Sequence, residues 1–550
     1  MSETDVLVVG AGPVGLTAAA ELRRRGVECR IIDRLARPMP YAKAVGVQPR
    51  TLEVWDAMGL GLLREALAEA VPMRGQLMFM NGKPGPRIDL VLPPDVPYGF
   101  ASLPQYTTER LLTTHLAAYG TTVERGTELL DLAQDADGVT ARLSTPDGGT
   151  QTLRARYVVG CDGAHSRVRR ALELSFEGDA FPEEYMLGDV EVDWDMPPGF
   201  GVRVEHRDDE GRTDDLLVCI PLPGERRYRM SMLVPPELAT RAEGDAVAHG
   251  LEAGHAPELH HIQAVLDRLS PQPTTASALR WSSVFRISHR LVDRYGEGRI
   301  FVAGDAAHIH PPTGGQGMNT GVQDAYNLAW KLALAVDGVA ADGLLASYHA
   351  ERHPIGEEVV GRTVRHARKG IGAGSDDDLT TILPREAQLL VHYRDSPLVE
   401  APTDDADPDA LAPGDRAPDC RGLTGDIAAY PQRLYDLLRG PRHTLLLYVG
   451  PGTSPDALLR CVAAAEEATH DRLDVYAVLA PDGAGEAGDA ARGIGLASVT
   501  DGDGEFRAAY GARAGEAFLV RPDGYLSGRF PVTAPEAVIA HLRRTFTFRT

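Results

Sequence analysis

Cysteine is scarce in this 550-residue chain: Cys29, Cys161, Cys219, Cys420 and Cys461 are five in all, widely scattered and never in a Cys-x-x-Cys pair. That pattern speaks against a disulfide framework and a zinc knuckle, and predicts reduced packing residues. Long apolar runs are missing as well, and without a stretch of about 18 such residues no membrane-spanning segment is expected. Positive charge is the third deficit. Lys and Arg number 56 against 78 Asp and Glu, a formal charge of −22, and a chain that would repel phosphates is not expected to take a nucleic-acid partner. The opening Met1-Ser2-Glu3-Thr4-Asp5 lacks the basic start and small-residue cleavage site of a secretory signal, so a cytoplasmic address is expected.

What is present is an ordinary globular composition, 43% hydrophobic and 24% charged, in a chain long enough for two or three domains of roughly 100–200 residues each. Residues 5–9 read as an apolar strand, 10–15 as a glycine turn, 16–25 as a helix and 28–33 as a second strand, one βαβ unit. From 183 to 234, apolar or aromatic residues alternate with charged ones, as in Val190-Glu191-Val192-Asp193-Trp194, which predicts an antiparallel sheet with one solvated face. A buried strand at 299–303 then returns the chain to the first fold. Residues 401–408 are rich in Pro, Asp and Ala and read as a linker. Beyond it, strands at 444–449, 473–479 and 517–520 alternate with helical stretches, predicting a small α/β unit.

Gly10-Ala11-Gly12-Pro13-Val14-Gly15 matches the dinucleotide fingerprint: the first Gly makes the tight turn, the second admits a pyrophosphate, and the third lets helix and strand pack closely. It follows a strand, opens a helix and meets Asp33 at the end of the next strand, where a carboxylate can hold a ribose hydroxyl. The second match, at 483–488, sits in a Gly/Ala/Asp-rich stretch and reads as a loop. A third strand runs into Gly160-Cys161-Asp162-Gly163, which taken alone reads as a turn or a ligand loop. Phe301-Val302-Ala303-Gly304-Asp305 places another carboxylate at the carboxyl end of a strand, where open α/β sheets bind ligands. After it come the prolines and glycines of 311–317 and a helix predicted over 319–336, whose positive end would stabilise negative charge on a bound ligand.

These three motifs, in this order and spacing, resemble the single-component FAD-dependent aromatic hydroxylases of the para-hydroxybenzoate and phenol hydroxylase type, over about the first 370 residues. Within that family the chain is similar to the aromatic polyketide hydroxylases that carry a thioredoxin-like C-terminal domain, and Pro413-Gly414-Asp415-Arg416-Ala417-Pro418-Asp419 resembles the entrance to it. The resemblance implies an α/β fold: a Rossmann-like FAD-binding domain at 1–175 and 281–395, an inserted antiparallel β-sheet substrate domain at 176–280, a linker at 396–418, and a thioredoxin-like domain at 419–550 without Cys-x-x-Cys. It implies FAD as cofactor, NADPH or NADH as transient co-substrate, and O2 with a small aromatic substrate, in a monomer or homodimer. One oxygen atom would pass through a flavin C4a-hydroperoxide to a phenolic or polycyclic aromatic ring. A Baeyer–Villiger or epoxidising enzyme on the same scaffold, a dehydrogenase without oxygen insertion, and a non-catalytic nucleotide-fold protein that sequesters a partner are the alternatives.

By the same resemblance Gly10, Gly12, Pro13 and Gly15 bind FAD, Asp33 holds the adenosine ribose and Arg34 lies along the adenine. Lys43 stands near the pyrophosphate where relatives carry arginine. Gln105 and Arg110 touch the phosphate and ribityl region, Asp162 and Gly304 belong to the cofactor loops, and Asp305 holds the ribityl chain. Pro312, Gly315, Gly317, Met318 and Asn319 line the isoalloxazine ring. Asp162 and Arg169 are candidates for the nicotinamide nucleotide, and Arg286 for facing the flavin as a catalytic residue or for a surface ion pair. Tyr98, Phe100, Met230, Met232, Trp281 and Phe285 are candidates for apolar lining or for plain core packing. His308 and His310, two apart with no third donor at ligand spacing, read as loop histidines and not as a metal site.

Overall fold

The computed structural model describes residues 2–239, 250–252, 256–369, 379–401, 410–425 and 430–547. Its first sheet centres on five parallel strands in the order Ile300–Val302, Thr150–Gly160, Ser2–Val9, Cys29–Asp33 and Val123–Arg125. The central strands are apolar toward their carboxyl ends, and Val6, Leu7, Val8, Val158 and Val159 have no exposed surface, as strands covered on both faces require. Val9 pairs with Gly160, and Gly160 with Val302. That register brings the ends of three strands distant in sequence to one edge, so the loops beginning at Gly10, Cys161 and Ala303 lie side by side.

The glycine-loop helix Pro13–Arg24 starts with proline at its first turn and packs against the long helix Gln316–Val336. The predicted helix start at 319 is extended by a turn, because Gly315 in the left-handed region (φ +68°) serves as its N-cap.

A second sheet is built on two 17-residue antiparallel strands, Phe176–Val192 and Ala276–Val292, continued by Arg227–Leu233, Thr213–Pro221 and Phe200–Arg207. It is not confined to 176–280. The strand Ala276–Val292 runs past that boundary, and the hairpin of Gly75–Met80 and Lys83–Asp89 joins the sheet edge through Phe200–Arg207. One face buries Met186, Val190, Met230 and Met232 under the helix Leu259–Leu269. The other face packs Leu187, Leu222, Trp281, Phe285 and Ile287 against Ala42 and Val45 of the first domain.

The third sheet runs Leu423–Gly425, Ala497–Asp501, Leu473–Leu479, His443–Val449, Glu516–Val520, Leu526–Pro531. Three parallel strands with antiparallel additions, flanked by the helices Pro455–Ala468, Gly485–Gly493 and Pro535–Leu542, give the mixed α/β unit expected there. The second glycine match is therefore not all loop: Gly485 opens a nine-residue helix. The flanks of the expected linker are packed as well. Leu398 and Val399 are buried, and Gly414 N donates to Leu526 O at 2.7 Å. Only 402–409 lie outside the described residues. Cys420 and Cys461 are buried, free thiols. Among the described residues no helix is long and apolar enough to cross a membrane.

Candidate active site

The glycine turn is held by contacts that leave no room for side chains. Gly10 has φ +100°, and a Cβ there would meet the Cys161 carbonyl oxygen at 2.4 Å; a Cβ on Gly15 would meet the Gly10 carbonyl oxygen at 1.9 Å. Gly12 differs, because its Cβ would meet nothing within 4 Å. Gly12 is also the N-cap of the helix Pro13–Arg24 and offers no side-chain cap. Packing thus forces two of the glycines, while the third opens a helix N-terminus onto a cradle that an anion fits.

Asp33 braces this turn. Its Oδ2 accepts from Ala11 N at 2.8 Å and its Oδ1 from Leu35 N at 2.8 Å, with Arg125 Nη1 3.5 Å from Oδ2. Arg34 is exposed beside it. Gln105, at the start of the helix Gln105–Ala117, accepts from Ala44 N at 3.1 Å and donates to Glu109 at 2.9 Å. Burial pushes the Glu109 carboxyl up, against the lowering effect of the Gln105 bond. Arg110 is not brought to the same place: it pairs with Glu69, and 55% of its side chain is exposed.

The second loop holds itself. Asp162 accepts from Ser166 Oγ at 2.5 Å and from Arg167 N at 2.6 Å, so its carboxylate caps the short helix Arg167–Ala171. Burial pushes its pKa up, opposed by those bonds. Arg169 is 4% exposed; it donates to Ala164 O at 2.7 Å and Ala306 O at 3.1 Å and lies 3.8 Å over the Phe176 ring. Burial lowers it to about 10. Both groups expected to read the nicotinamide nucleotide are engaged inside the protein: Asp162 bonds within the second loop, and Arg169 ties that loop to the third through Ala306 O.

In the third loop Gly304 has φ +61°, and a Cβ there would meet Val14 Cγ2 at 2.8 Å. Its N–H donates at 3.0 Å to Asp324, a fully buried carboxylate that also receives His308 Nε2 at 2.8 Å and Arg352 Nε at 2.7 Å. Burial would raise Asp324, but Arg352 and His308 together hold it below the ordinary carboxylate value. Asp305 points the other way, and Lys43 Nζ lies 2.9 Å from its Oδ2.

Beyond it Pro312 leads into Gly314 and Gly315, both at positive φ, and then into the long helix with Gly317 in its first turn and Met318 partly buried. Asn319 has no exposed surface and stitches this corner together. It donates to Gly46 O at 3.0 Å and Gly315 O at 2.7 Å, and accepts from Gln48 N at 2.9 Å and Thr51 Oγ1 at 2.7 Å. His310 bonds Pro311 O at 3.0 Å, and burial, then the neighbouring His308, pull it down to about 4.

Tyr185, Trp281 and Phe285 on the sheet face above Ala42 and Val45, together with Tyr41 and Tyr106 of the first domain, form an aromatic wall. Of the six lining candidates, Trp281 and Phe285 belong to it. Met230 and Met232 point to the opposite face, under a helix. Tyr98 donates to Asp56 at 2.6 Å and accepts from Arg433 of the third unit, while Phe100 uses its carbonyl to hold Met73 N. Arg286 pairs with Glu184 at 2.7 Å, both side chains mostly buried, and strand alternation puts it on the face opposite Phe285 and Ile287. Sequence reasoning missed Gln48, Asp324 and the Asp189–Arg227–Tyr106 chain. Only Tyr106 had a signal, its place beside Gln105.

A family profile described as FAD binding domain matches residues 3–363. A "Flavin-dependent monooxygenase" of Mycobacteroides abscessus is 35% identical over 457 residues, covering 80% of this chain and 88% of the relative. The 6-methylpretetramide 4-monooxygenase of Streptomyces rimosus is 33% identical, covering 98% and 93%. Among solved structures, a ternary complex of aklavinone-11 hydroxylase with FAD and aklavinone superposes with a TM-score of 0.76 at 27% identity, covering 99% of each chain.

Proposed function

Because the chain belongs to the FAD binding domain family, and is an FAD-dependent monooxygenase of the aromatic hydroxylase kind, we propose that it hydroxylates an aromatic polyketide or another bulky phenol at the expense of NADPH or NADH. The observation that carries this reading is the convergence of three loops, at Gly10, Cys161 and Ala303, on one sheet edge, with Lys43 reaching from Asp305 in the third loop to the Phe285 ring of the aromatic wall. The polyketide names of the relatives support the substrate class.

Bound FAD would accept hydride from the nicotinamide nucleotide and activate O2, the chemistry the protein itself cannot supply. Gly10, Gly12, Pro13 and Gly15 would cradle the pyrophosphate. Asp33, a carboxylate with acceptor capacity beyond its two loop bonds, would take the ribose hydroxyls, with Arg34 along the adenine. Lys43, Gln105 and Asp305 would serve the phosphate and ribityl region, with Arg110 at its outer margin. Pro312, Gly315, Gly317, Met318 and Asn319 would hold the ring, and the amide end of the long helix would stabilise the negative charge of its reduced form. Asp162, Gly304 and Arg169 would act by fixing the loops. The apolar wall would exclude water around the reacting ring.

We propose a cytoplasmic address, supported by five free thiols that are buried or half-buried, and a monomer or homodimer. We set the domain limits near 175, 280 and 395, with the sheet exchanges already described. The test is NADPH and NADH oxidation by the flavin-loaded protein with a panel of polycyclic phenols under labelled O2. Stimulated oxidation with one labelled oxygen in a ring hydroxyl supports the reading; a product with inserted ester oxygen, or none, overturns it.

A further inference from the structure

A polar chain backs the aromatic wall. Asp189 and Trp281 are register partners on the two long strands, on the face turned to Ala42 and Val45. Asp189 has no exposed side-chain surface, and on the next strand Arg227 grips it with Nε 2.7 Å from Oδ1 and Nη2 on Oδ2. The same Nη2 donates to the Tyr106 hydroxyl at 2.8 Å. Since the Tyr106 oxygen accepts from a cation, its own hydrogen turns elsewhere and is made a better donor. Trp281 Nε1 is buried with no hydrogen-bond partner. Leaving such an N–H unpaired costs about 1–3 kcal/mol, and its ring belongs to the same apolar cluster that Tyr106 packs against.

We propose that Tyr106 and Trp281 form a two-donor anchor for an oxygen acceptor on the substrate, a keto or phenolate oxygen carried away from the reacting carbon. Arg227 and Asp189 are the positioning residues behind it. The inference rests on the reading that this face takes a polycyclic phenol, and it narrows the class to rings that also bear a carbonyl or acidic hydroxyl. A donor pair in an apolar wall rejects the analogue lacking that oxygen, because the donors are then buried unpaired. It acts on which edge of the substrate enters, not on oxygen transfer itself.

The test titrates the FAD-loaded enzyme with a dihydroxyanthraquinone and with the corresponding dihydroxyanthracene, following flavin absorbance. Wild type should bind the quinone at least about tenfold more tightly, the worth of one buried hydrogen bond. Tyr106→Phe and Trp281→Phe should each bring the ratio to within about threefold and raise KM far more than they lower kcat. Flavin content checks folding, and if Trp281→Phe loses flavin, Tyr106→Phe decides. No preference in wild type, or an unchanged ratio in Tyr106→Phe, overturns the anchor. Preferential binding of the quinone with neither compound oxygenated leaves the anchor standing and overturns the substrate reading.

Discussion

Lys43 Nζ sits 2.9 Å from Asp305 Oδ2, joining the segment after the second strand to the loop after the last one, 262 residues apart in the chain. Both side chains are about one-third exposed, 31% and 34%, so screening leaves the pair worth about 1 kcal/mol or less to folding. On the proposed reading its value lies in the cofactor: Lys43 would supply positive charge toward the phosphates, and Asp305 an acceptor for hydroxyls. Lys43→Ala should leave the thermal midpoint nearly unchanged yet weaken FAD retention by about tenfold, with Lys43→Arg close to wild type. Flavin release measured by gel filtration decides it, and full retention in Lys43→Ala removes the lysine from the cofactor site.

Gly304 makes a steric prediction. Its positive φ and the 2.8 Å approach of Val14 Cγ2 to a built Cβ mean that alanine there strains the backbone and overpacks the contact between loop and helix. Gly304→Ala should cost roughly 1–3 kcal/mol and expel FAD. Adding Val14→Ala should recover part of the stability, though not the part due to φ. Urea unfolding of the single and double variants separates the two; equal losses in both would show that backbone strain acts alone.

The convergence of three motifs was legible because each lay at the end of a buried apolar strand, and parallel strands put their carboxyl ends on one edge. The face of the substrate sheet was not. Alternation shows that Met230 and Met232 share a face and that Trp281 and Phe285 share one, but which face meets the first domain depends on the helix Leu259–Leu269 covering the other. That is a tertiary fact with no local signal. The linker was misjudged at its ends for a similar reason. The acidic, proline-rich centre dominated the composition, while Leu398 and Val399 found partners on the third unit.

His310 gives a pH dependence. Burial lowers it to about 4 from an ordinary 6.5, so between those values the unfolded chain binds a proton that the folded protein does not. Stability therefore rises with pH through this window, and falls as pH drops from 6.5 toward 4, by about 3 kcal/mol from this group. His443 and His541 are each lowered to about 3 by burial and act in the same direction. Unfolding free energies from urea titrations at pH 4.5 and 7 should differ more in wild type than in His310→Gln; an identical difference would mean that His310 takes up its proton equally well in the folded and unfolded protein.

Glu351 carries the last prediction. It sits unexposed between Lys331, with Nζ 2.6 Å away on the long helix, and Arg521 of the third unit, with Nη1 at 2.6 Å, while Arg521 also grips Asp523. Burial would raise the Glu351 carboxyl, but Arg521 and Lys331 outweigh it and hold it well below its ordinary value. The network spans the junction between the cofactor domain and the C-terminal unit, so removing its central anion takes the carboxylate from buried Lys331 and leaves Arg521 with Asp523 alone. Loss of one partner from such a pair costs about 3–5 kcal/mol. Glu351→Ala should lower stability by that amount and split unfolding into two steps, the C-terminal unit separating first. Glu351→Ala with Lys331→Met, which removes the anion together with the cation it would leave unpaired and keeps the Arg521–Asp523 pair, should recover more than half of the loss. A single cooperative transition in Glu351→Ala would show that the junction is held by its apolar contacts instead.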